Sequence, residues 1–134
     1  MNPKNLEMKN TILVMSEAES HQWSDQYNAQ PKTFCAEIDG RKIDYSFEYI
    51  QEIEIAFQFP VSCNDDWDTY IRYMKGLHWL DMQKHVLIFH YFRNDFLNNP
   101  ILRGKIILSF AEEIIPFWKY QTNKKDDFTL ILAE

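Results

Sequence analysis

The sequence predicts an α/β domain: a small three-stranded parallel sheet packed with about four helices. Two observations carry this. Three short runs rich in β-branched and aromatic residues, 33–38, 85–91 and 128–132, are separated by segments whose apolar residues recur at helical spacing. The resulting order is strand, two helices, strand, short helix plus long helix, strand, which is what right-handed crossovers between parallel strands produce. At 134 residues and 46% hydrophobic content the chain is long enough for one domain with a core and too short for two.

Residues 1–31 are polar and read as an N-terminal extension ending at Pro31. Within it, residues 12–15 are an apolar run that could add a strand or dock as a segment, and Ser16 with Glu19 forms a capping-box pattern for a short helix. The first core strand stops at Asp39-Gly40, a dipeptide suited to a tight turn with positive φ. Over 46–57, Phe47, Ile50, Ile53 or Glu54, and Phe57 fall near helical spacing, with Ser46 in the capping position and Glu48 in the first turn. Pro60 blocks continuation of that helix.

Asp66 then precedes Trp67, Tyr70, Ile71 and Met74, spaced i, i+3, i+4, i+7, with Asp68, Thr69, Arg72, Tyr73 and Lys75 on the opposite face. Asp66 is read as the helix cap and Gly76 as its end. The run 85–91, HVLIFHY, is too continuously apolar for a half-exposed strand and fits one buried on both faces. Asn99-Pro100 opens the longest helix, where Leu102, Ile106, Phe110, Ile114 and Trp118 repeat every four residues, and Pro116 should kink it or end it near Ile115. Residues 124–127 form a charged turn before the last strand.

Composition narrows the function classes. Residues 37–68 hold nine acidic against two basic residues, a local charge of −7 within a total of −6, so a nucleic acid backbone is repelled and a cationic protein attracted. No apolar run approaches the roughly 20 residues of a membrane span, and the N-terminus lacks the pattern of a secretory signal, which predicts a cytoplasmic location. Cys35 and Cys63 lack metal-type spacing and are expected to be free thiols, Cys35 packed as a small hydrophobe and Cys63 exposed in a turn. The four histidines show no HxxxH or HExxH spacing, and His85 and His90 have opposite parity on one strand. With three glycines and no P-loop, GxGxxG or GxSxG, neither a cofactor, a metal nor an enzymatic activity is expected.

The stretches KTFCAEIDGRKI, FQFP followed by NDDWD, Gly76-Leu77 and the terminal FTLIL resemble, in order and spacing, the barstar family of intracellular ribonuclease inhibitors. The resemblance makes 32–134 a barstar-like domain. It implies an immunity protein that plugs the active site of a basic secreted ribonuclease with acidic groups on the loop and helix of residues 62–77. By position it assigns partner binding to Ser62, Asn64, Asp68, Ile71, Arg72 and Gly76, with Glu112 on the last helix; Asp65, beside the cap, and Thr69 and Tyr73, on the polar face of the helix, complete the expected surface. Several of these depart from the family pattern. Ser62 and Ile71 replace aromatic residues, Asn64 replaces a glycine, and Arg72 stands where the family has its central aspartate. Asp68 and Arg72 are i, i+4, so the arginine can neutralise the acid that remains. The alternative reading is a protein-interaction or regulatory module on the same fold, without ribonuclease inhibition.

Overall fold

The computed structural model describes residues 8–92, 99–121 and 126–134. They form an α/β fold around one parallel sheet of four strands, β1 (Thr11–Met15), β2 (Thr33–Asp39), β3 (Lys84–His90) and β4 (Asp127–Ala133), in the order β1-β4-β3-β2. Four strands replace the three expected. The additional one is drawn from the stretch read as an N-terminal extension: residues 11–15 pair in register with 129–133. Part of the charged turn expected at 124–127 lies outside the described residues.

β3 and β4 lie at the centre and are buried almost throughout, so their side chains need cover on both faces. One face is covered by α1 (Glu17–Asn28), whose Trp23 and Tyr27 pack on Val86, Ile88 and Ile131. Ser16 caps this helix, accepting the Glu19 N–H at 3.1 Å. The other face carries α2 (Ser46–Ala56), α3 (Trp67–Met74), and a continuous run of α4 (Pro100–Leu108), a π-helical segment (Ser109–Ile114) and α5 (Ile115–Tyr120).

Local details correct several expectations. The cap of α2 is Tyr45 rather than Ser46, and the Glu48 carboxylate receives the Asp44 and Tyr45 N–H groups, each at 3.0 Å. Tyr49 joins Ile50, Ile53 and Phe57 in the core, while Phe47 is exposed. Cys63 is buried, not exposed. Pro116 does not end the last helix, which changes from π to α pitch just before it and continues to Tyr120. A strict four-residue repeat overshoots an α-helical turn by about 40° per step. The wider π turns compensate for that drift, so all five repeat residues from Leu102 to Trp118 stay buried.

Gly40 is required for a different reason than a positive φ, which it does not have. It opens a short 3-10 turn capped by Asp39, which accepts the Arg41 N–H at 2.9 Å. A Cβ on Gly40 would stand 3.0 Å from the His90 carbonyl oxygen and 3.1 Å from that of Tyr91, both fixed backbone. Gly40→Ala is therefore expected to lower stability by about 1–3 kcal/mol in denaturant unfolding; an unchanged midpoint would show that the turn yields.

A polar latch fastens α1 to the sheet. His90, at the end of β3, is bonded through Nδ1 to Glu17 of α1 at 2.8 Å and through Nε2 to Glu37 of β2 at 2.7 Å, with Ser24 donating to Glu37 at 2.9 Å. The hydrogen bond with Glu37 raises the His90 pKa above 6.5, and the bond with His90 lowers that of Glu37 below 4.5. The His90 contribution is complete below pH 6.5 and disappears as pH rises through its folded value, whereas the Glu37 contribution is complete above pH 4.5 and disappears as pH falls through its own. The latch is thus fully engaged between these limits. Melting curves should show wild-type protein losing stability above pH 6.5 relative to His90→Gln, and parallel pH profiles for the two proteins would exclude the latch.

Candidate functional site

The stretch from Phe57 to Leu77 is held by short-range constraints that the local sequence supplies. After α2 the chain reverses at Gln58, with φ 54°, and the Phe59 N–H returns to the Glu54 carbonyl at 2.9 Å. The Glu54 side chain also reaches forward and accepts the Cys63 N–H at 2.6 Å. Burial raises the Cys63 thiol to about 12, with the Glu54 carboxylate adding to the effect. Ser62 Oγ accepts the Asn64 N–H at 3.1 Å, and Asn64 and Asp65 follow at φ 50° and 60°. Two successive left-handed residues without glycine suit Asn and Asp, whose short polar side chains tolerate that region best.

Asp66 then starts α3 as the sequence predicts. One carboxylate oxygen accepts both the Thr69 N–H at 3.1 Å and the Thr69 hydroxyl at 2.6 Å, which holds the Asp66 pKa below the usual carboxylate value. Tyr70 and Met74 are fully buried, and Trp67 and Ile71 pack at the margin of the core. Gly76 does not supply the left-handed residue after the helix. Leu77 takes it, at φ 52°, with its side chain buried in the core. On the outer side, Tyr73 meets the rings of Phe59 and Trp79 at 5.4 and 5.9 Å, and Trp79 Nε1 donates to the Phe57 carbonyl at 2.9 Å. The loop and helix are thereby fixed to each other.

This geometry sorts the site residues inferred from sequence. Asp65 and Asp68 are exposed and have no hydrogen bond or ion pair among the described residues, so their charges are free to meet a ligand. Ser62, Asn64 and Arg72 are also exposed, whereas Thr69 is engaged by the cap and Tyr73 by aromatic contacts. Ile71, half-buried, forms with Asp68, Arg72, Lys75 and Glu113 a surface groove of about 310 Å³; Gly76, half-buried after the end of α3, does not line it. Arg72 lies in the groove without an ion pair to Asp68 among the described residues, so the expected neutralisation is not formed. Glu112 is exposed on the π segment, but the carboxylate that enters the groove is its neighbour Glu113, paired with Lys75 at 3.1 Å.

Sequence reasoning missed Glu54, Glu113 and Trp79. A trace of Glu54 is present in the α2 spacing, where it shares the inward side with Ile53. Glu113 has no such signal, because the π segment shifts which residues of the last helix face α3. Beyond Ser62 a second, apolar hollow of about 420 Å³ lies between α2 and the loop, walled by Ile55, Phe59, Pro60 and Val61. Among the described residues no group of three or more His, Cys, Asp or Glu side chains is placed to hold a metal ion.

No family model matches the chain, and neither the curated proteins nor the solved structures contain a match to it.

Because the Glu54 carboxylate fixes the loop through a buried N–H, Glu54→Ala should cost about 1–3 kcal/mol and free the loop around Cys63. The readout is thiol labelling under native conditions. Cys63 should react much faster in the variant than in wild type, and equal rates would show that the loop is held by its aromatic contacts alone.

Proposed function

We propose that this protein is an inhibitor of the barstar type, acting in the cytoplasm without catalysis of its own. It binds a basic protein toxin, a secreted ribonuclease by resemblance, through the loop and helix 62–77. The observation that carries this reading is that Asp65 and Asp68 stand exposed and unpaired on a loop and helix already locked in place. Carboxylates so held lose little freedom on binding and are suited to pockets that otherwise receive RNA phosphates. Five of the nine acids counted in the acidic region, Glu37, Asp39, Glu48, Glu54 and Asp66, make hydrogen bonds within the chain. The other four, Asp44, Glu52, Asp65 and Asp68, have no side-chain hydrogen bond among the described residues, and of these Asp65 and Asp68 stand close together on the loop and helix.

A second reading is favoured by one residue. Arg72 projects into the groove beside Asp68, and a cation there opposes insertion into a phosphate-binding pocket. A protein-interaction or regulatory module, directed at a partner that offers an acidic group to Arg72, accommodates it.

The two readings separate in a capture experiment from the native cell with wild-type, Asp68→Asn and Arg72→Asp baits. For the inhibitor, the captured protein is a basic nuclease whose RNA cleavage is blocked at one-to-one stoichiometry. Both variants then change affinity by about tenfold or more, as central interface residues do. Capture of a protein without nuclease activity selects the second reading, and equal affinities for all three baits place the interface elsewhere.

A further inference from the structure

β1 is an edge strand, and among the described residues one of its sides is unused. The Glu134 N–H donates to the Met15 carbonyl at 2.9 Å and the Glu17 N–H to the Glu134 carbonyl at 3.2 Å, so the odd-numbered residues of β1 turn their backbone groups toward β4. Alternate residues of a strand point the other way. The N–H and C=O of Ile12 and Val14 therefore face outward, and among the described residues nothing receives them. Val14 is also 61% exposed. The strand, TILVM, contains neither charge nor proline, the usual protections of an edge. The opposite edge, β2, carries Glu37 and Asp39, so two copies meeting there would bring like charges together.

We propose that β1 pairs antiparallel with β1 of a second copy of this chain, about a two-fold axis at Leu13, joining two sheets into one of eight strands. The register follows from the outward groups. With the axis at Leu13, Ile12 of each copy faces Val14 of the other, and both pairs exchange N–H and C=O, so that every outward group of these residues is bonded. Moving the axis to residue 12 would oppose Val14 to Asn10, whose φ is 55°, and moving it to residue 14 would oppose Ile12 to Ser16, the cap of α1. The Leu13 pair itself is of the non-hydrogen-bonded kind, with Cα atoms about 4.5 Å apart. That spacing is within reach of a disulfide. The exposed Val14 side chain is covered by Ile12 of the second copy, on the face where Ile12 already packs against the main core.

The test uses the full chain. Light scattering should give twice the 16.2 kDa chain mass for wild type as concentration rises. Val14→Pro removes an outward donor without touching a β4 bond, and Val14→Lys adds a charge to the edge while keeping that donor; each should give a monomer with the wild-type circular dichroism. If the proline variant fails to fold, the lysine variant decides. Under mild oxidation Leu13→Cys should form a disulfide between residues 13 of two copies, identified by peptide mass. A wild-type monomer at every concentration that stays in solution overturns the proposal. So does a dimer that survives Val14→Lys, or one in which Leu13→Cys does not cross-link.

Discussion

A parallel sheet whose inner strands send apolar side chains to both faces cannot be left open on either. β3 and β4 impose this requirement, and most of the architecture follows from it. The crossovers β2 to β3 and β3 to β4 advance in one direction and place α2 to α5 on one face. The connection from β1 to β2 runs the opposite way across the sheet, which carries α1 to the other face, as the handedness of crossovers demands. Residues 11–28 thus cover the sheet as α1 and add to its edge as β1. His90 completes the arrangement by bridging α1 and β2 from the end of β3, with its ring further stacked on His21 at 5.5 Å.

On the face that carries α2 to α5, a chain of hydrogen bonds connects α3 to its neighbours through the core. Tyr49 of α2 and Tyr70 of α3 share a 2.6 Å bond, Tyr70 continues to Ser109 at 3.0 Å, and Ser109 donates to the Ile106 carbonyl at 2.7 Å. All are buried, and burial raises both tyrosine pKa values, so the hydroxyls remain neutral and paired. Ser109 opens the π segment, the same feature that keeps the four-residue repeat in the core and turns Glu113 toward α3. One irregularity in the last helix thereby sets its packing, the anchoring of α3 and the wall of the groove.

The parts of the site that were legible in the sequence are those made by neighbours. Asp66 capping α3, Ser16 capping α1 and Asn99 capping α4 each depend on a hydrogen bond three residues away. The buried face of α3 likewise follows from spacing alone, and His85 and His90 face opposite sides, toward Trp118 and toward α1, as strand parity requires. Where a contact closes over distance, the reading fails. Gly40 is small because the backbone at the C-terminal end of β3 approaches it, not because of its own dihedral angles. Leu77 takes a left-handed conformation beside an available glycine because its side chain is held in the core.

Periodicity and capping, which are short-range properties of the chain, sufficed for the α/β class, the central strands and the starts of α1, α3 and α4. Tertiary structure decided the strand count, because a five-residue apolar run is a strand only when another strand presents bonds to it. It likewise decided which carboxylates remain free, because Glu37 and Glu54 find partners that lie across turns and strands. The availability of a charged group depends on what the fold places beside it, and that is written in no single segment.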